Sequence, residues 1–244
     1  MTSKQTQTEK SFDFQWKNLP EGKDLLSDQN WRDNVEDYIL DELEMTREEI
    51  KGKKVLDAGC GNGRWSYGFM KLKTEIYGFD ISPSAVNYAG MHIPNVSFKT
   101  MNILNIEGLL EYYGEKFFDI LWCWGVLHHT DLKKGFENIS KLVKKGGLLH
   151  IYVYGKKSFV NRSLRRIFNW FSFKNRVRLA KLLSKFNGSS VHSNFDAFSP
   201  PIATNHTVDE MFELFYENGF QNVYRFVPRR ALKSTDLFMT GEKI

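Results

Sequence analysis

Between Val55 and Ser66 the chain reads VLDAGCGNGRWS, an acid, three alternating glycines and an arginine directly after a short apolar run. Glycine is entropically costly unless the backbone needs positive φ or the close approach of another group. Gly59, Gly61 and Gly63 therefore read as a loop built for a ligand to lie against. A second acid, Asp80, comes 23 residues after Asp57 and closes another apolar run, TEIYGFD. That separation is near the ~20 residues at which an acid takes a ribose hydroxyl pair in dinucleotide folds. Farther on, Asn102 ends a third run, and FDILWCWGVLHHT (Phe118 to Thr130) carries Cys123, Trp124, His128 and His129. His206 follows SPPIATN. These types and spacings offer nucleoside binding at a glycine loop, with histidines nearby that can accept protons.

The surrounding elements must position these groups. WRDNVEDYILDELEM places Trp31, Val35, Tyr38, Ile39 and Leu43 at helical spacing. TREE (Thr46 to Glu49) fits a capping box. KKVLDAG is a first strand, RWSYGFMKL a helix, TEIYGFD a second strand, and Ser82 and Pro83 stand as N-cap and first residue of the next helix. NVSFKTMNI and FFDILWCWG are strands three and four. Asp131 caps a helix expected to run through Val143 and stop at KKGG, and LLHIYVYG is strand five. After Gly155 the pattern breaks, then resumes with the helix HTVDEMFELFYENGF and the strands VYRFV and DLFMTGEK. Strands alternating with helices predict an α/β fold, a doubly wound parallel sheet with helices on both faces. Residues 1–11 are polar and are expected to be disordered.

In such a sheet ligands bind at the carboxyl ends of the strands. A nicotinamide enzyme and a nucleoside-binding transferase both fit that far. The loop, however, reads D-x-G-x-G-x-G rather than G-x-G-x-x-G, with Arg64 and Trp65 where the third glycine would pack. Asp57 at the strand end would repel a pyrophosphate but suits a cationic amine or sulfonium.

VLDAGCGNGRWS, GFDIS, MNI and FDILWCWGVLHHT together resemble the class I S-adenosylmethionine-dependent methyltransferases, over roughly Lys53 to Val153. SFDFQWKNLP (Ser11 to Pro20) and FDAFSPPIATNHTVDEMFELFYENGF (Phe195 to Phe220) are similar to the entry segment and tail of a bacterial subgroup often associated with surface-polysaccharide or natural-product pathways. The resemblance implies a Rossmann-like, seven-stranded, mostly parallel sheet with a helical insertion after strand five. It divides the chain into an N-terminal arm and helix (1–50), a cofactor-binding core (51–154), a basic helical insertion or lid (155–200) and a C-terminal helix and strands (201–244). It also implies S-adenosyl-L-methionine as cofactor. Asp57 would face the methionine amino group, directly or through water, and the backbone at Ala58, Gly59 and Gly61 would approach the cofactor, with Gly63 allowing close helix packing. Asp80 would take the ribose hydroxyls. Ile81 and Ile103 would cover the two adenine faces, with Asn102, where the family commonly has Asp, on the adenine amino group. Cys123 and Trp124 would lie beside the methionine moiety.

Methyl transfer to oxygen benefits from a general base, usually histidine, and His128, His129 and His206 are the candidates. His129 also reads as a partner of nearby backbone, His150 as structural, and Trp16 as either a lid or a core contact. Arg64 and Trp65 read as the first turn of a packed helix, with substrate contact as the other reading. No N-P-P-Y and no Pro-Cys nucleophile is present. The expected reaction is O- or N-methylation of a small molecule, a sugar or another biosynthetic intermediate. A non-catalytic cofactor-binding or regulatory subunit and an RNA or membrane-lipid methyltransferase are the alternatives.

The bulk composition bounds these readings. The 244 residues, 41% hydrophobic and 15% aromatic, suffice for a real core. Cys60 and Cys123 lie far apart, so neither a metal site nor a disulfide framework is suggested. No apolar run reaches the ~18 residues of a membrane span, and MTSKQTQTEK lacks the apolar core of a signal peptide, so a cytoplasmic location is expected. The net charge of +5 is uneven: Gly155 to Gly188 holds ten Lys and Arg and no acid, whereas the remainder has 24 basic and 29 acidic residues. This segment, 156–185, reads as a helical pair with a solvated basic face, a lid over an anionic acceptor, or a contact with an anionic membrane surface. Nucleic acid is disfavoured, because basic charge comes here without a recognisable RNA module.

Overall fold

The computed structural model describes residues 3–19, 28–115, 117–155, 159–228 and 235–244. In chain order the elements are α1 (Ser3–Asn18), α2 (Gln29–Leu43), α3 (Arg47–Ile50), β1 (Lys54–Ala58), α4 (Arg64–Lys71), β2 (Glu75–Asp80), α5 (Pro83–His92), β3 (Ser97–Thr100), α6 (Ile106–Tyr113) and β4 (Phe118–Trp124). They continue with α7 (Leu132–Ser140), β5 (Val143–Val153), α8 (Phe159–Asn169), α9 (Phe173–Asn187), α10 (Val191–Phe198), α11 (Val208–Glu217), β6 (Phe220–Phe226) and β7 (Leu237–Lys243). The strands form a seven-stranded sheet in the order β3-β2-β1-β4-β5-β7-β6. The first five are parallel, and β7 runs antiparallel between β5 and β6. The chain thus has the doubly wound, Rossmann-like architecture that its strand–helix alternation predicts. Among the described residues no helix is long and apolar enough to cross a membrane.

Both sheet faces are covered. Val35, Ile39 and Leu43 of α2 pack with Trp65, Phe69, Ile120 and Trp122 on one side. Leu109, Phe136, Ile139, Met211 and Phe215, from α6, α7 and α11, pack with Leu56, Phe79 and Leu121 on the other. Caps fall where the sequence puts them: Ser82 accepts from the Ala85 N–H with Pro83 following, and Thr46 and Glu49 form a capping box. His150, in β5, is fully buried; its Nε2 is 2.8 Å from Glu42 Oε2 and its Nδ1 2.8 Å from Thr240 Oγ1. This pair fastens α2 to β5 and β7.

Two expectations are corrected. The helix from Asp131 stops at Ser140, and Val143 already belongs to β5. The Leu142 carbonyl accepts from the N–H groups of Phe117 and Phe118, at 2.9 and 3.0 Å, which draws the chain onto the sheet before the lysines are reached. Residues 3–11 are helical rather than disordered. Thr8, Ser11 and Gln15 recur on one buried face, so the burial stripe of α1 is polar and leaves no hydrophobic period to read. Hydrogen bonds replace it: Ser11 Oγ with Ser199 Oγ at 2.8 Å, Gln15 Nε2 with His192 Nε2 at 2.9 Å, and Ser82 Oγ donating to Asp13 Oδ1 at 2.9 Å.

The insertion forms a helical pair. Phe168 and Ala180 pack with Leu19, Phe195 and Phe198 in a separate small core. No described residue of 159–185 lines the large cavity reported below, whereas Asn187, His192 and Asp196, in the same 155–200 insertion, do. Lys156 and Lys157 lie outside the described residues. Arg165 donates to the backbone carbonyls of Ala197 and Ala203 and is a structural clamp.

Candidate functional site

The glycine loop leaves β1 with Gly59, Gly61 and Gly63 all at positive φ, 81°, 54° and 85°. It is tied to the end of β2: the N–H groups of Gly59 and Cys60 donate to the Phe79 carbonyl at 2.8 and 2.9 Å. Asp80 completes the tie, accepting from the Gly61 N–H at 2.9 Å on one oxygen and from the Ser82 N–H at 2.8 Å on the other. A side chain at Gly61 is excluded by close approach, since its Cβ would sit 2.5 Å from Trp16 Cζ2. The indole of α1 therefore lies directly on the loop.

A cavity of about 940 Å³ opens at the carboxyl ends of β1, β2 and β4. One half is lined by Gly59, Gly61, Asp80, Ile81, Asn102 and Ile103. Burial lifts the Asp80 carboxyl to about 6, against the pull of the Ser82, Gly61 and Ile81 amides. The Asn102 amide oxygen accepts from the Leu104 N–H at 2.9 Å, leaving one of its two lone pairs for another donor. Five candidates stand outside the lining: Asp57, Ala58, Gly63, Cys123 and His206. Asp57 lies beneath the loop, where its Oδ2 accepts from the Ser66 N–H at 3.1 Å and the Ser66 hydroxyl at 2.6 Å. Burial raises its carboxyl to about 7, opposed by those Ser66 bonds and by Arg64. Gly63 packs towards α5, its absent Cβ 2.4 Å from Ile93 Cδ1. Cys123 is fully buried in the apolar core. His206 Nε2 is 2.7 Å from Thr204 Oγ1, and its Nδ1 is 3.6 Å from Glu210.

The other half is aromatic and charged. Trp124 lines it, stacked on Tyr152 at 4.1 Å between ring centroids, with the Arg64 guanidinium 4.6 Å over the indole. Arg64 and Trp65 begin α4, as the first-turn reading expects, and both line the cavity. His128 is fully buried and stacked 3.7 Å from Tyr154. His129 Nδ1 lies 2.9 Å from the Ile202 carbonyl. A carbonyl only accepts, so Nδ1 carries the proton and the neutral ring has its lone pair on Nε2. That Nε2 is 3.6 Å from Asp196 Oδ2, and the Tyr154 hydroxyl donates to the same oxygen at 2.7 Å. Burial works to raise the Asp196 carboxyl, but the Tyr154 hydroxyl and, once Nε2 is protonated, the His129 imidazolium hold it well below the usual carboxylate range. Asp236 similarly accepts from the Tyr152 hydroxyl at 2.9 Å.

Several lining residues had no role assigned from sequence: Phe12, Tyr152, Tyr154, His192 and Asp236. Tyr152 and Tyr154 carried a signal, since residues two apart on a strand share a face. Asp196 stood in the quoted tail, but nothing in its spacing announced a meeting with His129.

Comparison with known proteins places this geometry in context. A family model described as "Methyltransferase domain" matches residues 49–214. The tRNA U34 carboxymethyltransferase of Sulfurovum sp. is 32% identical over 130 residues, 52% of this chain and 41% of that protein. The ubiquinone biosynthesis O-methyltransferase of Coxiella burnetii is 31% identical over 121 residues, 48% of this chain and 47% of that protein. The matched region thus spans less than half the length of these curated relatives. Magnesium protoporphyrin IX methyltransferase of Synechocystis PCC 6803, solved with S-adenosylmethionine bound, superposes with a TM-score of 0.59 at 16% identity, covering 100% of this chain and 99% of that one. At that identity the likeness concerns the fold.

Proposed function

Given that the chain belongs to the methyltransferase-domain family, as a class I S-adenosylmethionine-dependent methyltransferase, we propose that it methylates an oxygen of a small polar acceptor. The observation that carries this reading is His129, whose tautomer is fixed by the Ile202 carbonyl and whose Nε2 faces Asp196 inside the cavity.

The cavity fits the cofactor. Its volume of about 940 Å³ is at the upper end of small-molecule sites. Asp80 offers a carboxylate to a pair of hydroxyls, Ile81 and Ile103 offer apolar cover to a flat base, and Asn102 offers its remaining lone pair to an amino group. Asp57, beneath the loop, ties β1 to the start of α4 through Ser66 rather than lining the cavity. When bound, S-adenosylmethionine supplies an electrophilic methyl on a sulfonium.

The protein's own work lies on the acceptor side. Trp124, Tyr152 and Tyr154 wall the acceptor half, Phe12 of α1 covers it beside His129, and Trp16 lies over the glycine loop, which excludes water and orients the nucleophile. His129 Nε2 takes the hydroxyl proton. Asp196 steadies the imidazolium that results, and Tyr154 holds Asp196 in place. Such a positioned base is worth about 10²–10⁴-fold in rate. His128, clamped against Tyr154, shapes the wall, and His206 lies outside it. The choice of oxygen over nitrogen rests on this base, since an amine that is already neutral needs none. A sugar or another hydroxylated biosynthetic intermediate is the acceptor class.

The test is S-adenosylhomocysteine release from the purified protein with matched panels of hydroxyl and amine acceptors. Turnover on hydroxyls that falls at least about 100-fold in His129→Gln, with cofactor affinity kept, is expected. Turnover confined to amines and indifferent to His129→Gln would overturn the assignment.

A further inference from the structure

Helices α8 and α9 stand apart from the rest of the surface. Their inner sides are accounted for: Phe168 and Ala180 are buried with Phe195 and Phe198, and Arg176 donates to the carbonyls of Phe171 and Ser199. Their outer sides are not. At about 100° per residue, Lys174, Arg178, Lys181 and Lys185 fall within about 60° of arc on α9, opposite Arg176 and Ala180. All four are exposed. Leu182 and Phe186 flank this row on one side, and Ile167, Trp170 and Phe171 gather at the turn between the two helices. Trp170 is 84% and Phe186 80% accessible to solvent. Arg166 is exposed on α8, and no Asp or Glu occurs between Gly155 and Gly188.

We propose that this face is a docking surface for an anionic lipid bilayer, with the α8–α9 turn seated at the headgroup boundary. Three features select this occupant. The row of cations has no interspersed acid, so it matches a uniformly negative surface rather than a mosaic protein partner. The apolar groups beside it include aliphatic Ile167 and Leu182, which gain from hydrocarbon but offer no ring to stack on a base. The apolar flank and the cationic row lie side by side along one helix, with Trp170 at its end, which is the arrangement of a helix lying in a membrane interface. A nucleic acid would answer the charge but leave the aliphatic groups in water. The surface also adjoins the cavity, because Asn187, next in sequence to the exposed Phe186, lines it. Docking therefore sets one rim of the cavity close to the membrane surface. The inference stands independently of the acceptor.

The full-length protein is sedimented with vesicles of phosphatidylcholine alone and of phosphatidylcholine with phosphatidylglycerol. Binding to the anionic vesicles only, weakened by salt, is expected. Replacing Lys174, Arg178, Lys181 and Lys185 together by Gln should weaken that binding about a thousandfold. The separate pair Trp170→Ser and Phe186→Ser should weaken it at least about tenfold with the charges intact. All six positions are exposed, and an unchanged melting temperature confirms the fold of each variant. The proposal is overturned if the protein ignores anionic vesicles, if both variants bind as the parent does, or if a single-stranded RNA oligonucleotide is retained while vesicles are not.

Discussion

Replacing Asp80 by Asn separates what this carboxylate does for the fold from what it does for the ligand. Asp80 accepts the Gly61 N–H at 2.9 Å and the Ser82 N–H at 2.8 Å, one on each oxygen. An amide keeps one of these bonds and turns an NH₂ towards the other N–H, losing about 1.5–3 kcal/mol. Against that, burial lifts the carboxyl from 3.8 to about 6, which at neutral pH costs the folded state about 3 kcal/mol, from the 1.36 kcal/mol carried by each pKa unit. The two effects nearly cancel. The ligand-free variant at pH 7.5 should therefore melt within about 4 °C of the parent. Binding has no such compensation: a charged acceptor for a hydroxyl pair becomes a half-donor, and S-adenosylhomocysteine affinity should fall by about 2–3 kcal/mol, or about 30–150-fold. The pH dependence has a definite sign. A carboxyl raised in the folded state stabilises the fold below the ordinary 3.8 and loses that contribution as pH rises through about 6. Affinity runs the other way, since ligand binding needs the ionised form; in the parent it should climb up to about tenfold per unit below pH 6 and then level off, while the variant stays flat. Calorimetric titration from pH 5 to 8, with melting curves on the same samples, reads both. Affinity unchanged within threefold, or lost only because the variant has unfolded, would refute this role for Asp80.

Two further outcomes follow from close contacts. Gly61→Ala sets a Cβ 2.5 Å from Trp16 Cζ2, so it should lift Trp16 off the loop and reduce S-adenosylhomocysteine affinity about tenfold; in a Trp16→Gly background the further loss should be small, and a full additive loss in a double-mutant cycle would show that the indole is not the obstacle. His150→Leu removes a hydrogen-bond partner 2.8 Å from Glu42 Oε2 and another 2.8 Å from Thr240 Oγ1, and should destabilise the fold by about 1–3 kcal/mol in chemical denaturation; a loss below about 0.5 kcal/mol would show that His150 does not fasten α2 to β5.

How much of this was legible beforehand follows from the range over which each feature is set. Alternating runs of apolar residues fixed the strands and their covering helices because burial imposes a period that neighbouring residues must share. The seven strands, the loop after β1, Asp80 at the end of β2 and the caps at Ser82 and Thr46 are such local matters. A doubly wound sheet then gathers its strand ends on one edge, so Gly59, Gly61, Asp80, Asn102 and Trp124 were readable as one group from order alone. Three things were not. The arm at Ser3–Asn18 is held by Ser11, Asp13 and Gln15, whose partners Ser199, Ser82 and His192 are far along the chain, and polar pairs of that kind leave no periodic trace. Asp57 carries a motif shared with many ligand loops, yet its direction depends on Ser66, which captures it beneath the loop. The pairing of His129 with Asp196 and Tyr154 joins the end of β4, the end of β5 and α10. Sequence determines which residues can accept or donate a proton; which of them meet is decided by how α10 is seated on the sheet edge, and that rests on packing summed over the insertion core of Phe168, Ala180, Phe195 and Phe198 rather than on any residue's own type.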